Sequence, residues 1–373
     1  MDPKVILETA LNLEEISAIE ALLVLQHADS LKGKLFEVSN ALNDRFNQNK
    51  VSWIRGKKLN YTNVCRIECA FCSFREKAGT KNAVTLTTDQ ILKQVKGNSG
   101  LRQITLEGGL NPELNINFHV ELIRNLKTEF PQILLQAYSP SEIHFIAKRA
   151  RTTPFDVLKK FRAVGLDSLP GESADILNDK IRKKICPEKL RTNDWIDIVR
   201  NAHRMGMTTT ASILFGHIEN EIHICEHLEI IKTLQKETGG FTSFELLPFL
   251  PKGSPLQAKK KVTVGPAQDQ IDKMVAVSRL FFGKTIPNIR VDWTKMGLNG
   301  AIKAISAGAN DLGTLTIDAH EIHAASTSGK LTMPMNMLRP ALSKVGKTLQ
   351  EIDPRRLRVN TPVKANREDL ILV

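Results

Sequence analysis

From about residue 51 onward, short apolar segments with the composition of β-strands alternate with amphipathic helices of ten or more residues. Consecutive parallel strands need such helical crossovers, so the alternation indicates an α/β fold built from repeated βα units. Seven or eight units predict a TIM-type (β/α) barrel, partial or full, in which the residues just after each strand gather at one rim. A doubly wound open sheet has the same periodicity and remains the alternative architecture. The apolar segments are QITLEGG (103–109), ILLQAYS (133–139), LDSLPG (166–171), TTTASILFGH (208–217), FTSFELLPF (241–249), NIRVDW (288–293) and ANDLG (309–313).

The first 50 residues have a purely helical pattern. Apolar residues recur three and four positions apart over 6–26 and again over 31–48, which predicts two helices. We therefore divide the chain into an N-terminal helical cap (1–50), a barrel (51–325) and a C-terminal helical tail (326–373). A chain of 373 residues that is 42% hydrophobic is long enough to bury the core of one such large domain.

Composition restricts the functional classes. The sequence has no run of eighteen apolar residues, and it starts with an acid-containing segment, MDPKVILETALNLEE, so we expect a cytoplasmic protein that does not enter a membrane. The formal net charge is +12, but the basic residues lie in short groups such as 180–184 and 259–261, without interleaved aromatic residues. This pattern favours solvated surfaces and anionic small molecules over nucleic acid.

Three of the five cysteines lie within eight residues, in the stretch NYTNVCRIECAFCSF (60–74). An odd cysteine count in a chain without an export signal argues against a disulfide framework and favours a metal. A zinc site needs a second ligand pair, whereas three thiolates on one loop suit three corners of a four-iron cluster whose fourth iron stays open. Zinc and three packed thiols are the alternatives. The cluster ligands would be Cys65, Cys69 and Cys72.

The spacing C-x3-C-x2-C, with the aromatic Phe71 before the last cysteine, resembles the signature of the radical S-adenosylmethionine (SAM) superfamily. The resemblance implies a barrel enzyme with two cofactors, a [4Fe-4S] cluster and S-adenosyl-L-methionine. In that superfamily the amino and carboxylate groups of SAM bind the open iron. One electron then cleaves SAM to methionine and a 5′-deoxyadenosyl radical. A non-enzymatic iron–sulfur or nucleic-acid-binding protein is the alternative from another functional class.

Further segments are similar to the deazaflavin and futalosine group of this superfamily, and closest to the FO synthase subunit 2 family. This resemblance implies a transferase of deazaflavin biosynthesis. The radical would take hydrogen from the amino group of L-tyrosine, and the 4-hydroxybenzyl fragment would add to 5-amino-6-(D-ribitylamino)uracil. The alternative is a menaquinone enzyme, cyclic dehypoxanthine futalosine synthase or aminofutalosine synthase. FO synthase subunit 1 and an electron donor would be partners. The segments are EGGLNPEL, SPSEI, GLDSLPGESADILNDKIRKKICPEKL, TTTASILFGHIEN, LQKETGGFTSFELLPF and AGANDLG.

The resemblance also assigns roles to residues that follow strands. Gly108 and Gly109 would let the backbone approach the methionyl amino group of SAM, since glycine permits close contact. Ser139 and Glu142 would lie near the ribose or the substrate, although Ser-Pro-Ser-Glu is equally a good helix start. The Arg182 guanidinium would pair with the SAM carboxylate, with a surface salt bridge as the alternative.

His217 and Glu219 follow the strand 208–217 and would face the pocket as catalytic proton carriers or polar contacts. Asn310 and Asp311 could bond the substrate, with a tight turn as the alternative. Several positions depart from the usual family pattern, and all of them belong to the predicted substrate end of the pocket. They are Gln136, Leu250, Pro251, Thr314 and the ending DPRRLRVNTPVK.

Overall fold

We describe a computed structural model of the chain, covering residues 2–98, 100–324 and 327–356, without the side chains of 317–331 and 356. Three helices precede the first strand: α1 (Pro3–Leu11), α2 (Ala18–Gln26) and α3 (Ala28–Asn47). The sequence had predicted two. The first predicted helix is broken because Leu13 adopts a positive φ of 66° and Ser17 starts a new helix with a capping box to Glu20.

A parallel barrel forms the centre of the molecule. Its strands follow one another in the order β2-β3-β4-β5-β6-β7-β8-β9-β1, all paired in parallel. Because β1 and β2 are successive parts of one segment, separated only by Arg55, the ring closes with eight strands when they are counted as one. The predicted TIM-type barrel is therefore confirmed, and the open-sheet alternative is wrong. The strands are β1 (Lys50–Ile54), β2 (Gly56–Thr62), β3 (Gln103–Gly108), β4 (Leu134–Ala137), β5 (Ser168–Leu169), β6 (Thr208–Phe215), β7 (Phe241–Pro248), β8 (Ile289–Val291) and β9 (Asp311–Thr314).

Helices surround the barrel and bury their apolar faces against the strands. Helix α9 shows the pattern, since Trp195, Ile198 and Val199 are buried on one face. Together with the apolar residues of the strands, these faces make one continuous core. The helices are α4 (Thr88–Lys96), α5 (Ile116–Glu129), α6 (Pro140–Ala150), α7 (Pro154–Ala163), α8 (Asp179–Ile185), α9 (Thr192–Arg204), α10 (Glu221–Thr238), α11 (Pro255–Ala258), α12 (Gln268–Phe282) and α13 (Trp293–Ser306).

Helix α3 covers the amino ends of the last barrel strands. Ser39 Oγ donates to the carbonyl of Ala307 at 2.7 Å, and Asn43 Nδ2 donates to that of Ala309 at 3.3 Å. Beneath them the buried Arg279 donates to the Gly308 carbonyl and to Asn310 Oδ1. Asn310, whose side chain was predicted to bond the substrate, thus lies at this closed end of the barrel. A ligand must therefore approach from the carboxyl ends of the strands.

The predicted C-terminal tail (326–373) includes strands as well as a helix. After β9, the strands β10 (Thr316–Ala324) and β11 (Thr327–Thr332) form an antiparallel pair, and β10 also pairs with β2. Helix α14 (Met335–Lys344) then leads to β12 (Thr348–Glu351), which adds to β1 in parallel. The last part of the tail, 357–373, lies outside the described residues. None of the described helices is long and apolar enough to cross a membrane.

Candidate active site

A cavity of about 480 Å³ opens at the carboxyl ends of the barrel strands. Residues that end or follow β3, β4, β5, β7, β8 and β9 line it, as expected for the rim of a parallel barrel. One wall is formed by the loop that follows β2. The floor is formed by side chains that point into the barrel, and many of these are charged or amide groups.

The loop after β2 carries Cys65, Cys69 and Cys72, and all three thiols are free and line the cavity. Its backbone is fixed at several points. The Cys65 amide donates to the Glu76 carbonyl at 3.1 Å, and the Ala70 amide donates to that of Ile185 at 2.6 Å. The loop therefore presents the three thiols on one wall of the cavity.

These thiols fit an iron–sulfur cluster better than a single metal ion. Burial raises the pKa of the Cys69 and Cys72 thiols, so they need a strong positive charge nearby to ionise. The backbone amides of Phe74 and Arg75 donate to Cys72 and partly oppose that shift. Among the described residues, no three His, Cys, Asp or Glu side chains converge closely enough to hold one metal ion. Thiols spread along a loop can instead reach separate irons of one cluster.

Gly108 and Gly109 are required by the packing of the strand end on the cysteine loop. A Cβ at Gly108 would lie 2.7 Å from the Tyr61 ring, and one at Gly109 would lie 2.3 Å from the carbonyl oxygen of Val64. Both residues line the cavity beside Cys65. The two glycines therefore let the end of β3 pack closely against Tyr61 and Val64. Their contact with SAM remains a prediction.

Ser139 and Glu142 lie next to these glycines and line the same cavity. They form the capping box of α6, and the Glu142 carboxylate also accepts from the Tyr61 hydroxyl at 2.7 Å and from the Gly108 amide at 3.1 Å. Burial raises the pKa of Glu142 to about 7, although its hydrogen bonds favour the ionised form. Glu142 therefore connects β2, β3 and α6 at the rim.

Arg182 lies outside the cavity lining and is buried behind it. Its guanidinium donates to the backbone carbonyls of Ala174 at 2.5 Å and Leu190 at 2.8 Å, and it lies 3.5 Å from the Asp175 carboxylate. These contacts hold the segment between β5 and α9 in place. The structure does not bring Arg182 together with the other predicted SAM-binding residues.

We expect Arg182→Lys to reduce stability more than SAM binding. Lysine cannot reproduce the forked set of donors, so buried carbonyls lose their partners at a cost of about 2–4 kcal/mol. Denaturant unfolding and calorimetric titration with SAM, in wild type and variant, measure the two effects. A large loss of SAM affinity without loss of stability would instead support direct contact between Arg182 and the SAM carboxylate.

His217 and Glu219 pair with each other at the end of β6. Their side chains lie 2.8 Å apart, the Glu219 carboxylate also accepts from the His217 amide at 2.9 Å, and His217 Nε2 lies 3.1 Å from the Leu214 carbonyl. Burial raises the Glu219 pKa, but the hydrogen bond and charge of His217 outweigh it, so the pKa is lowered. Neither residue lines the cavity. Their contacts stabilise the turn that follows β6. A catalytic role for them stays a prediction.

The charged floor of the cavity was not predicted from the sequence. Lys58 Nζ lies 2.6 Å from the Glu107 carboxylate and 2.5 Å from that of Glu172. Burial would lower the Lys58 pKa, but the two carboxylates raise it well above its usual value. Glu107 and Glu172 are also within hydrogen-bonding reach of each other, and burial with this repulsion raises the pKa of Glu107. Lysine and glutamate are rarely buried unless they are paired, and this partnership was not visible in the sequence.

A second charged group lies across the barrel. Arg290 Nε donates to Asp311 Oδ2 at 2.8 Å, and its Nη2 lies 2.8 Å from the same oxygen. Glu245 occupies the neighbouring position on β7. Asp311 was predicted to bond a substrate, and the structure instead shows it paired with this arginine. Lys189 also lines the cavity, with its Nζ 2.8 Å from the Asp175 carboxylate and 5.4 Å from the centre of the Phe71 ring.

The positions that depart from the family pattern mostly lie on the cavity wall. Gln136, Leu250 and Thr314 all line it. Gln136 bonds Thr105 at 3.1 Å and Gln103 at 3.2 Å, which forms an amide and hydroxyl patch inside the barrel. The departures therefore concern the shape and polarity of the cavity.

Two family models match the chain. The radical SAM superfamily matches residues 59–231, and the CofH/MqnC C-terminal region matches residues 238–350. The first match contains the cysteine loop and the strands β3 to β6, and the second contains β7 to β11 and all but the last residue of β12. The two matches together cover the strands that line the cavity, except for the first residues of β2.

Individual proteins are also similar to this chain in sequence or in structure. A 5-amino-6-(D-ribitylamino)uracil–L-tyrosine 4-hydroxyphenyl transferase of Synechocystis is 35% identical, over 92% of this chain and 91% of that protein. A protein of the same name from Methanococcus maripaludis strain C5 is 38% identical, over 80% and 84%. Among solved structures, methylornithine synthase has a TM-score of 0.71 at 17% identity, covering 92% of this chain and 97% of that one. The hydrogenase maturase HydG also has a TM-score of 0.71, at 18% identity, covering 93% and 75%. The similarity to these two solved structures shows a shared fold.

Proposed function

Because the chain belongs to the radical SAM superfamily and, within it, to the family of the 5-amino-6-(D-ribitylamino)uracil–L-tyrosine 4-hydroxyphenyl transferases, we propose that it joins the 4-hydroxybenzyl group of L-tyrosine to 5-amino-6-(D-ribitylamino)uracil. One structural observation carries the proposal. The three free thiols and a floor rich in hydrogen-bond acceptors open into the same cavity. A radical formed at the wall could therefore reach a donor-rich substrate on the floor without leaving the barrel.

In this proposal Cys65, Cys69 and Cys72 hold the [4Fe-4S] cluster, with SAM on the open iron. The cluster and SAM supply the 5′-deoxyadenosyl radical that starts the reaction. Gly109 keeps the strand end against the cysteine loop, since any side chain there would collide with Val64. Glu142 fixes the adjoining backbone through the Gly108 amide and accepts from Ser139.

The floor of the cavity has the charge expected for the uracil substrate. On the floor, Lys58 and Arg290 lie among the carboxyl groups of Glu107, Glu172 and Glu245, so three acids stand there beside two cations. A substrate with amino groups, ring N–H groups and sugar hydroxyls supplies the missing donors. Enclosure of the floor within the barrel also keeps water away from a reactive radical.

Two partners complete the proposal. The reaction needs an electron from outside the chain, which calls for an electron donor. The family resemblance adds FO synthase subunit 1 as the enzyme that would close the deazaflavin ring in the next step.

The test is reconstitution without oxygen, followed by incubation with SAM, a chemical reductant, L-tyrosine and the ribitylaminouracil. We expect mass spectrometry to detect the hydroxybenzyl adduct and 5′-deoxyadenosine in equal amounts. Parallel incubations contain the substrates of the futalosine pathway in place of the tyrosine and uracil pair. Consumption of only those futalosine substrates would overturn the proposal and favour a menaquinone enzyme.

A further inference from the structure

Glu245 differs from the other carboxyl groups of the barrel interior because no donor among the described residues hydrogen-bonds to it. Glu107 and Glu172 contact Lys58, and Asp311 accepts from Arg290. The Glu245 carboxyl lines the cavity, and within the described chain it accepts no hydrogen bond. A partly buried carboxylate without a partner is costly, so a ligand donor is the natural partner for it.

A free donor lies beside this free acceptor. Glu245 and Arg290 are paired positions on the adjacent parallel strands β7 and β8, so their side chains leave the sheet on the same side about 4.8 Å apart. Arg290 contacts Asp311 through Nε and Nη2, and its Nη1 makes no hydrogen bond to a described residue. Gly313 leaves room for the guanidinium, since a Cβ there would lie 3.0 Å from Arg290 Nε.

We propose that Glu245 and Arg290 together bind the imide edge of the uracil ring. This inference rests on the proposed function and on the position of the two side chains next to each other. Glu245 accepts from the ring N3–H, and Arg290 Nη1 donates to an adjacent ring carbonyl. An acceptor next to a donor matches an N–H next to a C=O, as in side-chain recognition of bases. The pair places the uracil, and tyrosine occupies the space between the uracil and the cysteine wall.

The charges around the pair argue against the carboxylate of tyrosine as its ligand. Asp311 already neutralises Arg290, and a second carboxylate would face both Asp311 and Glu245. The uracil edge carries no charge and meets no such repulsion. Its N–H also supplies the hydrogen bond that the Glu245 carboxylate lacks.

The protonation of Glu245 gives an independent readout. Burial raises its pKa, Glu172 and Asp292 add to that shift, Arg290 and Lys58 oppose it, and the net result is a pKa of about 7. The carboxylate form, which accepts from N3–H, therefore becomes dominant as the pH rises through about 7. Binding of the uracil should strengthen between about pH 6 and pH 8, and this strengthening should be absent in Glu245→Gln, which does not titrate there.

The experiment is anaerobic calorimetric titration of the reconstituted protein with 5-amino-6-(D-ribitylamino)uracil and with its N3-methyl derivative. In wild type we expect methylation to weaken binding at least about tenfold, because it removes the donor and leaves Glu245 unpaired. In Glu245→Ala, which also has room for the methyl group, the two compounds should bind about equally. Glu245→Gln should bind the parent uracil about tenfold more weakly than wild type, and the exposed Glu121→Gln serves as the matched control.

The outcomes separate the two proposals. Wild type that neither binds the uracil nor forms the adduct would overturn the proposed function and this inference together. Adduct formation by wild type, with a methylation penalty that is the same in Glu245→Ala, would overturn the inference alone. A loss of L-tyrosine affinity in the Glu245 variants, with uracil affinity intact, would also overturn it and assign Glu245 to the amino acid.

Discussion

Replacement of Cys69 by alanine is expected to abolish both cluster binding and the formation of 5′-deoxyadenosine. Cys69 is the most enclosed of the three thiols, at 8% exposure, and no other cysteine lies on the cysteine loop to replace it. Loss of groups that merely support a metal ligand costs about ten- to a hundredfold, so loss of a ligand itself should cost more than a hundredfold. Iron and sulfide analysis after reconstitution, together with chromatography of the nucleoside product, measures the two effects.

Cys225→Ala is the matched control for this experiment. Cys225 is also buried, at 4% exposure, but it lies on α10 and does not line the cavity. This variant should keep a full complement of iron and normal nucleoside formation, with a stability loss of about 1 kcal/mol from the lost packing. Unchanged iron content in Cys69→Ala would contradict the assignment of the cluster to this loop.

The cysteine loop could be predicted from sequence because its information is local. Three thiols at short spacing lie close together in any compact loop conformation, and no long-range pairing is needed to see them. Most barrel strands were also visible, since they are apolar runs followed by polar rim residues. Arg182, His217 and Glu219 were harder to place, because a position after a strand does not reveal which way a side chain points.

The strand segment 50–62 was not identified as a strand from sequence, and the reason is physical. Its centre reads Arg55, Gly56, Lys57 and Lys58, which interrupts the apolar alternation typical of strands. In the structure these charges have partners far along the chain. Lys57 Nζ donates to the Gln94 carbonyl, and Lys58 contacts the carboxylates of the cavity floor. The segment that closes the barrel thus owes its stability to partners that only the fold brings together.

Lys58→Met is expected to destabilise the protein strongly and to stop adduct formation. Without the ammonium group, the carboxylates of Glu107 and Glu172 face each other in the barrel and lose the cation that contacts both of them. Removal of one partner from a buried ion pair costs about 3–5 kcal/mol, and we expect about 3 because the group borders the cavity. Denaturant unfolding at about pH 8 measures the loss, with the exposed Lys81→Met as the matched control.

The stability loss in Lys58→Met should depend on pH and on a second substitution. As the pH falls toward about 5, the unpaired carboxyl groups bind protons, so the stability difference between wild type and Lys58→Met should shrink. Addition of Glu172→Gln to Lys58→Met should likewise recover stability at about pH 8, because one of the two facing charges is gone. If the double variant is instead less stable than Lys58→Met, the repulsion between Glu107 and Glu172 cannot be the cause of the loss. A recovered fold that still forms no adduct would then show that Lys58 acts on the substrate as well as on the barrel.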